Sequence, residues 1–564
     1  MYRLFCHFFS ISTFISFILV IYIIFLKIFK NKINSKLYKV LFLLPLIVSI
    51  IHFFAFYLHA SAYFTISKFI SMYIFSIIVA LWQFSDRNKK IFNISFVIIL
   101  IMGFVSFFLV FYNTILFENI HNLTYYNYTK SFNKTINILK KEYVLNEHKK
   151  IDYDYLYNKY YPLIKQAELN NDEQLYFKTM YEFSKNFKDG HVQYGIKGAN
   201  FYDTAKKYSF ISDYNDKYYG FGSVLLSDGR VAAILVDNNA EAYNKGLRDG
   251  MIITKKDGTN IHDLLNEIIT PNISYPVLED KNLLDSFYLF STGNDVLELS
   301  FLNDKNEEVT ITVNSIVNES SNSTDLFNKI IYQNDLENLD TKMLDENTGY
   351  IYINNEFYSP LKGAIGYLLD DSSYLTKEID KKLKELKNKG MENLIIDLRN
   401  NTGGYFTESE AIASLFTSDN YLVLQNAKYN SKLYDKSYLN GNGKYSNIQI
   451  IVLVNSDTIS AGDSLVYMFK NNQNAKIIGF TNSNNSAQSV GGIIFLSGGS
   501  SYIGYPIYKT LDRNDDIFID TDSTGVANIK LDYRINLTQD NIKEIFYSDK
   551  NYDYELNIAL QMLD

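Results

Sequence analysis

The chain has 564 residues and a formal net charge of −8, long enough for several domains rather than one. A single cysteine, Cys6, excludes an intrachain disulfide, and no Cys/His spacing of the zinc-site kind occurs. The charge is uneven: residues 1–117 carry ten Lys/Arg against one acidic residue, Asp86, whereas the remainder carries 44 basic and 61 acidic residues, a balance that argues against nucleic acid as a partner.

Four apolar runs, 5–26, 40–60, 62–84 and 91–117, come first. Each reaches the length of about 20 residues that a helix needs to cross a bilayer core. The loop "KIFKNKINSKLYK" and the loop "SDRNKK" are rich in Lys and Arg, while "LHASAY" has neither. The excess of positive charge predicts that the first and third loops are cytoplasmic. Residues 1–117 are therefore expected to form a four-helix transmembrane anchor in the lipid bilayer, with everything after residue 117 outside the cytoplasm. The first run lacks a small-residue cleavage site and reads as a retained span.

Residues 118–195 read as a helical segment, because "YDYLYNKYYPLIKQA" and "DEQLYFKTMYEFSKNF" space apolar residues at helical intervals. The segment ends in "KDGHVQYG", a glycine turn into an extended run. Residues 210–318 change to short alternating strands around "YYGFGSVLL" and "GLRDGMIITKKDG". That stretch resembles a PDZ domain. The resemblance implies that the loop of Gly220, Phe221 and Gly222 offers backbone N–H groups to a peptide C-terminus, which adds a strand to the sheet edge. Residues 340–545 alternate strands and helices: "GYIYINNEF", "TKEIDKKLKELKNKG", "NLIIDLRNNTGG", "QIIVLVNS" and "AKIIGF". Fully apolar strands between helices predict a parallel sheet covered on both faces, with the active site at the carboxyl ends of its strands. Both "RNNTGG" and "SDTISAGD" fall there.

Ser460, in "IVLVNSDTISAGDSL", stands where strand becomes helix. Such a serine is either a helix cap or a nucleophile, and spacing alone favours the cap. A nucleophile there would have the Ala461 N–H and the helix dipole beside it, and the Gly403–Gly404 turn could bring further N–H donors close.

The ordered set "NLIIDLRNNTGG", "IVLVNSDTISAGDSL" and "KIIGFTNS", following a PDZ-like stretch, resembles the C-terminal-processing, or tail-specific, serine proteases over roughly residues 130–540. The resemblance implies an αβ sandwich of the ClpP/crotonase kind. It also implies Ser460 as nucleophile and Ala461, Gly403 and Gly404 as oxyanion-hole positions. The bacterial processing enzymes pair this serine with a later lysine in a Gly-Lys-Gly context. Here the region reads "GFTNSNNSAQSVGG", and no lysine occurs between Lys476 and Lys509. The tricorn-core-like branch uses instead a histidine in an Asp-Gly-His context, which His191 of "KDGHVQYG" matches. That branch orients its histidine with a glutamate three residues before a Gly-Val-x-Pro-Asp motif. The corresponding "DSTGVAN" places Asp522 three residues before Gly525, with Asp520 as a competitor.

The resemblance thus implies a membrane-anchored serine endopeptidase, cleaving proteins or peptides outside the cytoplasm by a Ser460–His191–Asp522 mechanism without metal or cofactor. A catalytically inactive pseudoprotease that binds or senses peptides is the alternative, because the lysine is lost and the glutamate shortened. A third reading, in which the spans themselves signal or transport, is opposed by their single embedded charge, Lys68.

Overall fold

The computed structural model describes residues 119–196, 218–267, 275–290, 294–316, 339–357, 374–428, 431–548 and 552–563. No helix among these residues is long and apolar enough to cross a membrane. This finding corrects the multi-pass, membrane-anchored architecture and localisation expected above. The four apolar runs on which that expectation rested fall in residues 1–118, outside the described residues.

The described chain divides into two compact units. The smaller joins residues 119–135 to Val490–Gly504. In it, strand Asn119–Asn122 pairs in parallel with Val490–Phe495, and the Ser497 N–H donates to Ser131 Oγ at 3.2 Å. The larger unit holds Ile136–Ser489 and Tyr505 onwards, and contains every residue discussed below.

The larger unit opens with the end of helix Tyr128–Glu142, followed by two separately capped helices, Tyr153–Asn170 and Glu173–Lys185. Asp152 and Asp172 start them by accepting the N–H groups of Tyr155 and Leu175, each at 2.9 Å. A side-chain acceptor at this position satisfies one of the orphan N–H groups of the first turn. The expected helices are therefore present, and they lead directly into the turn that carries His191.

The core is a six-stranded sheet in the order Tyr533–Arg534, Ala475–Gly479, Gln449–Leu453, Asn393–Asp397, Thr348–Ile353 and Leu339–Met343. All neighbours are parallel except the last pair, which is antiparallel. The alternation of β and α segments read from residues 340–545 is thus borne out. The two-residue period of a strand sorts its side chains onto opposite faces. Ile351, Leu394, Ile396, Ile450, Val452 and Ile477 pack with the helices Tyr374–Asn388, Phe406–Ser414 and Ala461–Lys470. Tyr350, Tyr352, Ile395, Ile451, Leu453 and Ile478 form the other face, covered by the helix Tyr554–Gln561 through Ala559. Both faces are dry, which is why the strands read as unbroken apolar runs.

A separate antiparallel sheet runs Gly222–Leu225, Val231–Ile234, Ile252–Lys256, Val296–Leu302 and Glu308–Asn314. A three-stranded sheet joins Ser431–Asn440, Asn420–Lys428 and Tyr508–Asp512.

One buried cation locks the C-terminal helix to the central sheet. Arg399, 1% exposed, follows strand Asn393–Asp397 and donates to Asp397 at 2.9 Å, Asp553 at 3.0 Å and Glu555 at 2.8 Å. Glu555 also accepts the Phe480 N–H at 2.9 Å. Removing one partner of a buried ion cluster strands the others without compensation, at a cost of about 3–5 kcal/mol. Arg399→Ala is expected to lower stability by that amount, read as a shift in the urea midpoint. A loss under about 1 kcal/mol would show that the cluster is not what holds the helix.

Candidate active site

After strand Gln449–Leu453 the chain crosses a short turn and reaches Ser460, at φ 67° and ψ −120°, before helix Ala461–Lys470. A non-glycine residue in such a conformation costs about 1–3 kcal/mol and persists only where its surroundings over-determine it. The neighbours here do so. The Ile459 N–H donates to the Asn401 carbonyl at 2.9 Å. The Ser460 N–H is shared between the Ser486 carbonyl at 3.1 Å and Asp463 Oδ2 at 3.2 Å. Asp463, in the first turn of the helix, also accepts the N–H groups of Asn485 at 2.9 Å and Ser486 at 3.0 Å. Burial pushes its carboxyl up to about 6 against the pull of these hydrogen bonds. The result is a sharp strand-to-helix turn with a serine at its apex, the geometry of a nucleophile elbow.

The glycine turn predicted to face this serine does so. Gly403 has φ +80°, and a Cβ added to it would lie 2.6 Å from Ser460 Cβ and 2.9 Å from the Ala461 nitrogen. Gly404 is pressed as closely against the backbone of Glu356, 2.5 Å from its carbonyl carbon. Only glycine fits either position. The two N–H groups differ in availability. That of Gly403 donates to Asn401 Oδ1 at 2.8 Å. Those of Gly404 and Ala461 donate to no acceptor among the described residues.

His191 sits in the turn after helix Glu173–Lys185 and is 7% exposed. Its own N–H donates to Asp189 Oδ1 at 2.8 Å, and Asp189 Oδ2 accepts the Tyr143 hydroxyl at 2.8 Å. Burial lowers the imidazole pKa, while the charge of Asp189 and the Gln488 carbonyl hold it up. Nδ1 is buried without a hydrogen-bond partner among the described residues. Gly190 leaves no room for a side chain: a Cβ would fall 2.1 Å from Asn484 Oδ1 and 2.6 Å from the Ile459 side chain. The Gly190 N–H donates to Ser486 Oγ at 2.9 Å. Ser486 therefore receives one hydrogen bond from the residue before His191 and another from Ser460 itself. In this way the fold brings the histidine turn and the serine elbow onto one segment, 484–488.

Asp522 lies elsewhere. It is exposed, and its carboxylate accepts the N–H and the hydroxyl of Thr524 at 2.8 and 2.6 Å, which hold it below the usual carboxylate range. It closes its own turn. The buried carboxylates on this side are Asp189 and Asp520. Burial, together with the charges of Asp189 and Asp463, pushes Asp520 well above the usual range, opposed by its ion pair with the buried Lys149. Lys149 also donates to Thr521 Oγ1 at 2.7 Å and to the Lys188 carbonyl at 2.9 Å, tying the Asp520 segment to the histidine turn. Sequence reasoning missed Asp189 and Lys149. Asp189 was in view inside "KDGHVQYG"; Lys149, in a charged stretch, gave no signal.

In the antiparallel sheet, Phe221 is buried against Phe290, with ring centroids 4.9 Å apart. The Gly220 carbonyl accepts the Asp237 N–H at 2.8 Å. The outer edge of strand Gly222–Leu225 is occupied by helix Leu278–Ser286: the Leu225 N–H donates to Ser286 Oγ at 2.8 Å, and Ser223 Oγ donates to the Ser286 carbonyl. A peptide adding a strand at this edge would compete with Ser286. Among the described residues no cluster of three or more His, Cys, Asp or Glu side chains could hold a metal ion.

Residues 347–528 match the model of Peptidase family S41. The matched stretch includes Ser460, the glycine turn and Asp520, but not His191, Asp189 or Lys149. The carboxyl-terminal-processing protease of Synechocystis sp. is 30% identical over 118 residues, 21% of this chain and 27% of that protein, so the match spans about a quarter of this relative's length. Among solved structures, mature CPAF complexed with lactacystin is 12% identical, with 78% of this chain and 99% of that one covered at a TM-score of 0.48. The photosystem II D1 C-terminal processing protease is 15% identical, with coverage of 75% and 98% and a TM-score of 0.32. The tricorn protease is 12% identical, with coverage of 78% and 36% and a TM-score of 0.35.

Because Gly403 touches both Ser460 and Ala461, a methyl group there must displace the elbow. Gly403→Ala is expected to reduce reaction of Ser460 with a fluorophosphonate by at least about 100-fold, the scale of one lost oxyanion donor. The circular dichroism spectrum should be unchanged. Wild-type labelling in a folded Gly403→Ala chain would show that the turn does not bear on the serine.

Proposed function

We propose that the chain is a serine endopeptidase that cleaves polypeptides by acyl transfer, with Ser460 as nucleophile and His191 as general base. The observation that carries this reading is the convergence on Ser486. A strained serine and the turn bearing a buried histidine are fixed to the same residue, beside two unengaged N–H groups. A serine hydroxyl needs a base to take its proton and fixed donors for the negative charge that develops on the carbonyl oxygen.

Ser460 Oγ attacks the scissile carbonyl carbon while His191 takes the hydroxyl proton. The tetrahedral oxyanion is received by the Ala461 and Gly404 N–H groups, at the positive end of helix Ala461–Lys470. Collapse breaks the C–N bond, and His191 returns the proton to the departing amine. Water, deprotonated by the same imidazole, then attacks the acyl ester and frees Ser460. Asp189 supplies negative charge near the imidazolium that forms in each half-reaction. Asp189 binds the His191 backbone rather than its ring, so its contribution is electrostatic and positional. The name of the Synechocystis relative makes a polypeptide with an accessible C-terminal segment the first substrate to offer.

One observation favours the second reading, a binding module without turnover: no carboxylate among the described residues hydrogen-bonds the His191 ring, whose Nδ1 is buried without a partner there. Fluorophosphonate labelling of the full chain separates the two. The enzyme reading expects labelling of the wild type, none of Ser460→Ala, and a loss of about 10²–10⁴-fold in rate for His191→Ala. A folded wild type that does not label, with or without added peptide, favours the module.

The pH dependence follows from the sign of the His191 shift. The base acts as neutral imidazole, and burial favours that form. The labelling rate should therefore hold as pH falls and decline only below the ordinary histidine value of 6.5. A decline centred above that value would show that another group is the base.

A further inference from the structure

One buried acid next to the site has no role in the mechanism above. Glu356 is 0% exposed and follows strand Thr348–Ile353. Its backbone grips the glycine turn from both sides: its N–H donates to the Gly403 carbonyl at 3.1 Å, and its carbonyl accepts the Tyr405 N–H at 3.2 Å. Its side chain reaches the same turn through Asn401. Glu356 Oε1 accepts from Asn401 Nδ2 at 2.8 Å, and Asn401 Oδ1 in turn accepts the Gly403 N–H. Asn401 also supports the serine side, since its carbonyl holds the Ile459 N–H and its amide packs against Gly462. Glu356 Oε2 is buried with no partner among the described residues. The titratable group whose charge reaches it is another buried acid, Glu408 of helix Phe406–Ser414, whose carboxylate is engaged by Thr376 and Leu375.

On the serine-hydrolase reading, on which this rests, we propose that Glu356 is a positioning residue of the oxyanion turn that works as a neutral carboxylic acid. It orients Asn401 so that the Gly403 N–H is engaged and the Gly404 N–H left for substrate. An ionised Glu356 would place a buried negative charge, with no basic partner among the described residues, against the turn where the oxyanion forms. Like charge in a low-dielectric site opposes such a charge strongly. Burial, and to a smaller degree Glu408, pushes the Glu356 carboxyl up to about 8, so the neutral form prevails at neutral pH. No side chain beyond Glu356 and Asn401 stands between this acid and the donor loop in the hydrogen-bond chain described.

The test compares wild type, Glu356→Gln and Glu356→Ala as full chains. It measures fluorophosphonate labelling rates, and kcat and KM on a fluorogenic casein, from neutral to alkaline pH. The wild type should lose rate on an alkaline limb centred near 8. Glu356→Ala should lower kcat by about 10-fold or more with KM little changed, because the group acts on the transition state. Glu356→Gln keeps the acceptor and cannot ionise. It should recover most of the rate lost in the alanine variant and show no such limb. A glutamine variant that keeps the wild-type limb overturns the inference, and that arm decides even if the alanine variant fails to fold. So does a folded alanine variant with wild-type kcat. A wild type that never labels overturns the hydrolase reading and this inference together, an outcome distinct from either of the others.

Discussion

The site depends on one backbone conformation, that of Ser460. A left-handed serine between a parallel strand and a helix is unfavourable on its own, and two segments distant in sequence, together with the first turn of the following helix, hold it. Asn401 anchors the residue before it, Ser486 and Asp463 take its N–H, and Gly403 fits under its Cβ. Some of these contacts dictate the residue type, while those of the Asn401 and Ser486 carbonyls are made by backbone. The glycine must lack a side chain. Asp463 must be short enough to turn back from the first helical turn. Ser486 must present a carbonyl to one partner and a hydroxyl to the other. The strain is thus a product of the whole sheet: the strands Asn393–Asp397 and Gln449–Leu453 are parallel neighbours, so the turns after them emerge side by side.

Electrostatics around the site are dominated by buried acid. Asp189, Asp463, Asp520 and Glu356 are all buried, and Lys149 is the ammonium that meets them, through Asp520. Such an arrangement suits a base that must be neutral at rest and charged in the transition state. On the proposed mechanism, desolvation keeps the imidazole unprotonated before reaction, and the charge of Asp189 favours the imidazolium once a proton arrives. Ionised, the same acids would oppose an oxyanion, which is why Glu356, against the oxyanion turn, is proposed to act in its neutral form. Asp463 is screened from that role by the hydrogen bonds it accepts from Ser460, Asn485 and Ser486.

Much of this was legible in the sequence, and the exceptions share a cause. Periodicity and flanking residues marked the apolar strands, the helix "TKEIDKKLKELKNKG" with its Gly390 stop, and the junction at Ser460, because those signals are local. "RNNTGG" and "SDTISAGD" could be placed together because strand carboxyl ends share an edge of the sheet. What stayed hidden depended on packing between distant segments. Lys149 meets Asp520 across more than three hundred residues of chain, and no local pattern announces a buried ion pair. Asp522 stood at the spacing the resemblance required, yet the adjacent Thr524 satisfies it within its own turn. The Gly220–Gly222 loop had the right composition, but Ser286, from a helix some sixty residues on, holds the strand edge beside it. The membrane expectation rested on hydropathy alone, and no described helix supports it.

Helix Leu278–Ser286 ties that strand edge to the segment that holds Gly190 and Ser460. At its C-terminal end, Ser286 caps Leu225. At its N-terminal end, Asp280 accepts the Asn482 N–H at 3.0 Å and pairs with Arg534 at 2.7 Å, while Tyr275 just upstream bonds Asp457. Asn482 opens the run that continues through Asn484, Asn485 and Ser486, the residues that hold Gly190 and Ser460. Burial raises the Asp280 carboxyl to about 6, partly offset by Arg534 and Asn482. One short helix thus has one end on the antiparallel sheet and the other on the run that holds Gly190 and Ser460, so the position of each is fixed with respect to the same element.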